Sequence, residues 1–380
     1  MAPRPSKGLA DVVAASTAVS DIDGQAGRLF YRGYDIHDLA GKINFAECVH
    51  LLQRGTLPTR GELAGLTGEL AAGRELTPLV RRNIEPVARV QSPMEALRSY
   101  VSLASGEDPD KDSGSPEANL RKAARLTAQQ PVLVARYHAA RRGVTAPDPD
   151  PELGIAGNFL LQITGERPSP RQADILDECL VLHADHTMNA STFAARVCAA
   201  TLSDMHSAVC AAIGALKGTL HGGANEQVMR TFQAIGTVAD VDRTVHEKLA
   251  AGEKIMGFGH RVYKSEDPRA THLRRMSAEL AETTGDDLWY RMSRRMEDLV
   301  FAEKGLRPNV DFYAASVYRY LGIPVDLFTA VFSVSRMAGW TAHVIEQHAD
   351  NRLIRPDSEY IGDHDMKWVP ISERTQGTER

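Results

Sequence analysis

The stretch "GFGHRVYKSEDPRA" at 257–270 places a histidine behind a Gly-Phe-Gly turn, with Arg261, Lys264 and Arg269 after it. Glycines let a backbone approach a ligand closely, and exposed amides there can hold a phosphate or nucleotide. The third glycine of a dinucleotide fingerprint is missing. Asp267-Pro268 reads as a helix start with Arg269 in its first turn, where a cation opposes the helix dipole and a nearby anion would relieve the conflict. The segment is therefore a solvated basic turn, or a site that presents His260 to an anionic substrate. His221, in "LKGTLHGGANEQV", falls between the stop of one helix and the start of the next. The positive end of the dipole would lower its pKa and favour neutral imidazole, a hydrogen-bond donor suited to a developing enolate. The plainer alternative is a turn histidine near an N-cap. Asp311, in "RPNVDFYAASVY", also has two readings. Either Asn309 or Asp311 caps a helix, or Asp311 is a partly desolvated carboxylate with a raised pKa and serves as general base.

His183 and His186, in "LHADHTMNAST", stand three apart and are expected to share a helix face. No H-E-x-x-H or third ligand accompanies them, so the reading is a carboxylate-binding or core histidine and no metal. Arg336 lies amid apolar helix residues, where an unpaired charge is costly, so it needs a buried partner or an anionic ligand. Arg355, before a proline, is a loop residue whose plain reading is exposure. Neutral histidines, one carboxylate and several arginines suit deprotonation beside a carbonyl, enolate stabilisation and a dicarboxylate electrophile.

The elements that must position these groups are nearly all helices. "TAVSDIDGQAGRLFYRGY" carries the one strong strand signal and reads as a short hairpin turning at Asp23-Gly24. Asp35 then caps a helical stretch that breaks near Gly41 and Asn44. The polar runs 106–119 and 144–153 are loops, and 371–380 is a loose tail. Val209, Ile213 and Leu216 recur at helical spacing up to a stop at Gly218, with small residues between them that admit a neighbouring helix. Asn225 is expected to cap the next helix, with Val228, Met229, Phe232 and Ile235 buried. Alternating strand and helix patterns are missing, which argues against a Rossmann-type sheet.

The totals agree. The chain has 380 residues, 43% hydrophobic and 24% charged, with a formal net charge of -5. That length allows two domains or one large core, and that charge gives no reason to expect nucleic acid or an anionic membrane. No apolar run is long enough for a membrane span or a secretory signal. The four scattered cysteines fit a reducing cytoplasm.

The segments "YRGYDIHDLA", "LHADHTMNAST", "LKGTLHGGANE", "KIMGFGHRVYKSEDPRA", "NVDFY", "LFTAVFSVSRMAGWTAH" and "RLIRPDSEYIG" resemble the citrate synthase family, in that family's order from about residue 20 to 365. The resemblance implies an all-α protein with a large and a small helical domain and a short N-terminal β-hairpin. Residues 1–221 and 326–380 would form the large domain and 222–325 the small one, with the active site in a cleft that closes on oxaloacetate. It implies condensation of acetyl-CoA with oxaloacetate to citrate. 2-Methylcitrate synthesis from propionyl-CoA is the alternative, since that relative shares most of the motifs. By motif, Asp311 would take the methyl proton, His221 would bond the thioester oxygen, and His260 would protonate the oxaloacetate carbonyl. His186, Arg269 and Arg336 would hold carboxylates, and Arg355 would do so in the neighbouring subunit's site. The backbone of Ile255, Met256, Gly257 and Gly259 would meet CoA, with Lys264 on a phosphate. No cofactor is implied, the CoA thioester being a substrate. The long N-terminal extension of hexameric, NADH-inhibited members is not seen, so a simple homodimer is expected. Thr219, where the family often has proline, and Ala314-Ala315, where it often has Ser-Gly, depart from the pattern and leave acyl-chain preference open. A helical scaffold that binds partner helices is the competing class, and it would make His221, His260 and Asp311 indifferent to substitution.

Overall fold

Asp23 accepts hydrogen bonds from the amides of Gln25 and Ala26, so the chain reverses over 24–27. Strands β1 (Ser20–Asp23) and β2 (Arg28–Tyr31) then pair antiparallel, Ser20 opposite Tyr31. The reversal is wider than an Asp-Gly turn. A third strand, β3 (Tyr34–Asp35), adds to β2, and at two residues it is too short to leave a periodic signal. This computed structural model describes residues 7–9 and 12–374. Part of the 371–380 tail lies outside the described residues.

Asp35 caps α1 (Ile36–Leu39) by accepting from the His37 amide. The helix stops before Gly41, and Asn44 starts α2 (Phe45–Arg54) with a full capping box to Glu47. The helices α3 (Arg60–Gly73), α4 (Pro78–Ala88), α5 (Pro93–Ser105), α6 (Pro116–Arg141), α7 (Ile155–Thr164) and α8 (Pro170–His183) follow. Four of them open on Ser-Pro or Thr-Pro, where the hydroxyl residue is the N-cap and proline takes the first helical position, at which its missing N–H costs nothing. The polar run 106–119 lies between α5 and α6 only as far as Ser115, its last four residues opening α6, and the run 144–153 lies between α6 and α7. Next come α9 (Ala190–Ala200), α10 (Met205–Leu216), α11 (Ala224–Ile235), α12 (Val241–Ala250), α13 (Pro268–Thr284), α14 (Leu288–Lys304), α15 (Val310–Tyr320) and α16 (Phe328–Ala349). Among the described residues the protein is all-α apart from the small sheet.

The chain divides into two compact units, Thr17–Leu353 and Met1–Ser16 with Ile354–Arg380. In the first, α16 is the core helix. It is buried almost without interruption from Phe328 to Val344, and it packs on α2, α6, α8 and α9. A helix apolar all round belongs in such a position. Helix α10 packs on α9 and α5, with its small residues Ala208 and Ala212 fully buried. One expected cap is corrected. Gly223 is the N-cap of α11 and Asn225 sits fully buried in its first turn, while Val228, Met229, Phe232 and Ile235 form the buried stripe. No helix among the described residues is long and apolar enough to cross a membrane.

Candidate active site

The hairpin braces one wall of the site. The Tyr31 hydroxyl donates to the carbonyl of Asp185 at 3.0 Å and accepts from the Asp185 amide at 3.1 Å. The Asp185 carboxylate takes hydrogen bonds from the Ser20 hydroxyl, the Thr187 amide and His343. These bonds pin the segment after α8 that carries His186. That segment has left the helix, since α8 ends at His183, so His183 and His186 do not share a helix face. His183 directs Nδ1 to the Cys179 carbonyl at 2.8 Å, whereas His186 directs Nε2 to the Tyr263 hydroxyl at 3.2 Å. No group of three His, Cys, Asp or Glu among the described residues is placed to hold a metal ion.

His186 meets His260 edge to face, with ring centroids 5.1 Å apart. His260 Nδ1 accepts from the amides of Val262 at 3.0 Å and Tyr263 at 3.2 Å. Both partners are donors, so Nδ1 carries no proton and the neutral ring is protonated at Nε2. His221 is held by the start of α9. Its Nε2 lies 2.8 Å from Ser191 Oγ and accepts from the Ser191 amide at 3.3 Å. That amide is shared with Asn189 Oδ1, and where Nε2 accepts from it the proton of neutral His221 is on Nδ1. Trp340 Nε1 donates to the same Ser191 Oγ at 3.0 Å, which ties His221 to the core helix α16. Burial is the main reason that both imidazoles titrate at about 4, with the charge of Arg336 adding to it at His221 and that of Arg269 at His260. The cause at His221 is therefore desolvation before any helix dipole. Burial also holds His186 well below the ordinary imidazole value.

Arg269 is 2% exposed and Asp267 1%. They form a two-point pair, Nε to Oδ1 at 2.9 Å and Nη2 to Oδ2 at 2.8 Å. The anion that relieves the cation in the first turn of α13 is thus its own N-cap. Asp267 also accepts from the Val310 amide at 3.0 Å, which joins the starts of α13 and α15. Arg336 is 1% exposed, and among the described residues it makes no salt bridge. Its Nε donates to the His183 carbonyl at 2.8 Å and its guanidinium lies over the Phe332 ring. Burial lowers its pKa to about 10. A guanidinium so placed has an incomplete set of partners, and an anionic ligand would complete it.

The capping question at α15 is settled by geometry. Asn309 is the N-cap, and its side chain accepts from the Asp311 amide at 3.0 Å. The Asp311 carboxyl is free of that duty, and its Oδ1 is buried with no hydrogen-bond partner among the described residues. Burial raises its pKa to about 7, opposed by the charges of Arg269 and Arg336. His186, His221, His260, Arg269, Arg336 and Asp311 each feel the field of at least one other member of the set.

The glycine turn is less open than its sequence suggested. Gly257 has φ 86°, and its carbonyl accepts from the Asn309 amide at 2.9 Å. The Gly259 amide donates to the Arg307 carbonyl at 2.9 Å, and its carbonyl accepts from Asn309 Nδ2 at 3.0 Å. Residues 257–259 therefore dock on 307–309 and set His260 beside the start of α15. Ile255 and Met256 are half-buried, and Lys264 is exposed with its amide engaged by Gly24. Arg355 is exposed and pairs with Asp357 at 2.9 Å.

Ser191 and Trp340 were not singled out from the sequence, and Asp267 was read only as a helix start. The Ser-Thr after Asn189 reads only as a helix start, and the two other contacts of Ser191 come from 30 and 149 residues away. Ser191→Ala removes the hydroxyl that orients His221. About 10- to 100-fold lower turnover is expected, with KM little changed. Steady-state kinetics on the purified variant checks this.

Fold and site together define an all-α protein in which buried histidines, an unpartnered carboxyl and two buried arginines lie within one another's fields. A family model described as the C-terminal domain of citrate synthase matches residues 8–357. "Citrate synthase 2" of Bacillus subtilis is 50% identical over 370 residues, covering 97% of this chain and 99% of that one. Citrate synthase of Haloferax volcanii is 48% identical over 97% of this chain and 98% of its own. 2-Methylcitrate synthase of Shewanella oneidensis is similar too, at 40% identity over 97% of each. Among solved structures, a ternary complex of carboxymethyl coenzyme A and oxaloacetate with citrate synthase from Thermoplasma acidophilum superposes with a TM-score of 0.91 at 33% identity, covering 97% of this chain and 99% of that one. The chain belongs to the citrate synthase family.

Proposed function

We propose that the protein condenses acetyl-CoA with oxaloacetate and hydrolyses the product to citrate and CoA. The observation that carries this reading is the buried Asp311 carboxyl, unpartnered at Oδ1, in the field of the buried Arg269 and Arg336. Asp311 takes a proton from the acetyl methyl while the His221 Nδ1–H passes its proton to the thioester oxygen, giving an enol that returns this proton to His221 as its carbon attacks. The enol carbon attacks the keto carbon of oxaloacetate, and the His260 Nε2–H passes its proton to the oxygen that becomes the hydroxyl. Water then cleaves the citryl thioester, releasing citrate and free thiol. His186, Arg269 and Arg336 bind the oxaloacetate carboxylates. Ile255, Met256, Gly257 and Gly259 border the CoA site, with Lys264 at a phosphate.

The same reading holds that 222–325 moves as a small domain against the rest and closes on oxaloacetate. Arg355 completes the site of a second copy, the working unit is a homodimer in the cytoplasm, no metal or cofactor takes part, and the reaction feeds the tricarboxylic acid cycle. Propionyl-CoA is the alternative acyl donor. The methyls of Ala314 and Ala315 are wholly buried in the helical core and argue for neither donor.

Thiol release from acetyl-CoA, measured with and without oxaloacetate and with and without chelator, tests the proposal. Release that needs oxaloacetate and ignores chelator is expected, and release independent of oxaloacetate would overturn it. Propionyl-CoA run alongside separates the two donors. The pH profile follows from Asp311. The base works only when ionised, so kcat/KM should fall as pH drops through about 7, while the imidazoles stay neutral until about 4. A profile flat from pH 8 to 5 would remove Asp311 from the base role.

A further inference from the structure

The segment that fixes the His260 tautomer is itself gripped from outside the site, by the turn of the hairpin. The Lys264 amide donates to the Gly24 carbonyl at 2.9 Å. A Cβ on Gly24 would overlap the Val262 carbonyl oxygen and stand 3.1 Å from its carbon. A Cβ on Gly27 would overlap Ser265 Oγ and stand 2.8 Å from the Glu266 carbonyl oxygen, on a backbone with φ +67°. Both glycines therefore lie flush against 262–266, where only bare backbone fits.

This contact acts on chemistry through one intervening peptide. Val262 and Tyr263 supply the two amides that hold His260 Nδ1 as an acceptor. Tyr263 is buried, but Val262, Lys264 and Ser265 are exposed, so the outer side of the segment has little else to rest on. Neutral imidazole has two tautomers, and only the one protonated at Nε2 turns a donor away from these amides. If 262–264 moves, the amides lose their aim, and both the tautomer and the ring orientation are released.

We propose that the hairpin turn 24–27 is a clasp that positions His260, holding 262–264 so that its amides select the Nε2–H form. Gly24 and Gly27 are positioning residues, since neither touches the imidazole. The inference rests on the reading that His260 protonates the keto oxygen of oxaloacetate.

The test is Gly24→Ala in the full-length chain. The added methyl pushes 262–264 outward, and displacements near 1 Å can cost about 100-fold. Citrate formation should fall by about 10- to 100-fold. Exchange of the acetyl-CoA methyl protons with deuterated water, run with malate in place of oxaloacetate, should change by less than about 3-fold, because it uses Asp311 and His221 but needs no proton from His260. A general loss of structure would lower both reactions together. Gly27→Ala, read in the same way, stands in if Gly24→Ala does not fold. Wild-type citrate formation in the variant, or equal loss of both reactions, overturns the clasp. A wild-type protein that neither condenses nor exchanges would sink the functional reading, and the clasp with it.

Discussion

Asp311→Asn is expected to lower turnover by about 10³-fold while leaving oxaloacetate affinity within a few-fold, because a positioned general base is worth roughly 10²–10⁴ in rate. Asparagine keeps the shape and cannot accept the methyl proton. The α15 cap is unaffected, since Asn309 supplies it. The same variant should be more stable at alkaline pH. Burial raises the folded-state pKa of Asp311 from 3.8 to about 7, so the folded protein binds this proton more tightly than the unfolded chain. The favourable contribution of the protonated form is complete below the unfolded value and is lost as pH rises toward 7. Above that the ionised carboxylate costs up to about 4 kcal/mol, from about 1.4 kcal/mol per pKa unit. Thermal melts should therefore place Asp311→Asn above wild type at pH 8, with the gap closing by pH 4. An Asp311→Asn protein with normal turnover, or less stable at pH 8, would mean that the carboxylate serves the fold and not the reaction.

Asp267→Ala is expected to cost about 3–5 kcal/mol of stability, the usual result of stranding one partner of a buried ion pair. Asp267 holds two nitrogens of Arg269 and also takes the Arg269 and Val310 amides, so its loss leaves a cation and the start of α15 without partners. Activity should fall too, through the helix start that carries Asp311. On the proposal that Arg269 binds a carboxylate of oxaloacetate, saturating oxaloacetate should raise the melting temperature of the variant more than that of wild type. Scanning fluorimetry with and without oxaloacetate reads both effects. A variant as stable as wild type would remove Asp267 as the anchor of Arg269.

What the sequence made legible was local. Asp35 announced its helix because a cap bonds to an amide two residues away, the break expected near Gly41 and Asn44 is where α1 gives way to α2, and the hairpin was plain from its flanking apolar runs. Asn225 misled because a good capping residue inside a helix looks the same in sequence as one ahead of it. His183 and His186 were expected on one helix face, yet α8 ends between them. The chemical groups themselves could be picked out, since Arg336 in an apolar helix and His260 behind a glycine turn are anomalies that need explaining. Their supports could not. The Ser20–Asp185 bond, the Trp340–Ser191 bond and the docking of Gly24 on Val262 join residues far apart in the chain, and no periodicity or motif encodes such pairings. Arg269 shows the converse, for its partner Asp267 was in view two residues away and was read only as a helix start.

The central claim is that two neutral imidazoles and an ionised aspartate meet around one small ligand. A crystal structure with oxaloacetate and carboxymethyl-CoA tests it most directly. The account predicts His221 Nδ1, His260 Nε2 and a carboxylate oxygen of Asp311 each within about 3.2 Å of ligand atoms, the reach of a working proton transfer. Any one of the three left beyond about 6 Å, in a cleft closed over both ligands, would contradict it.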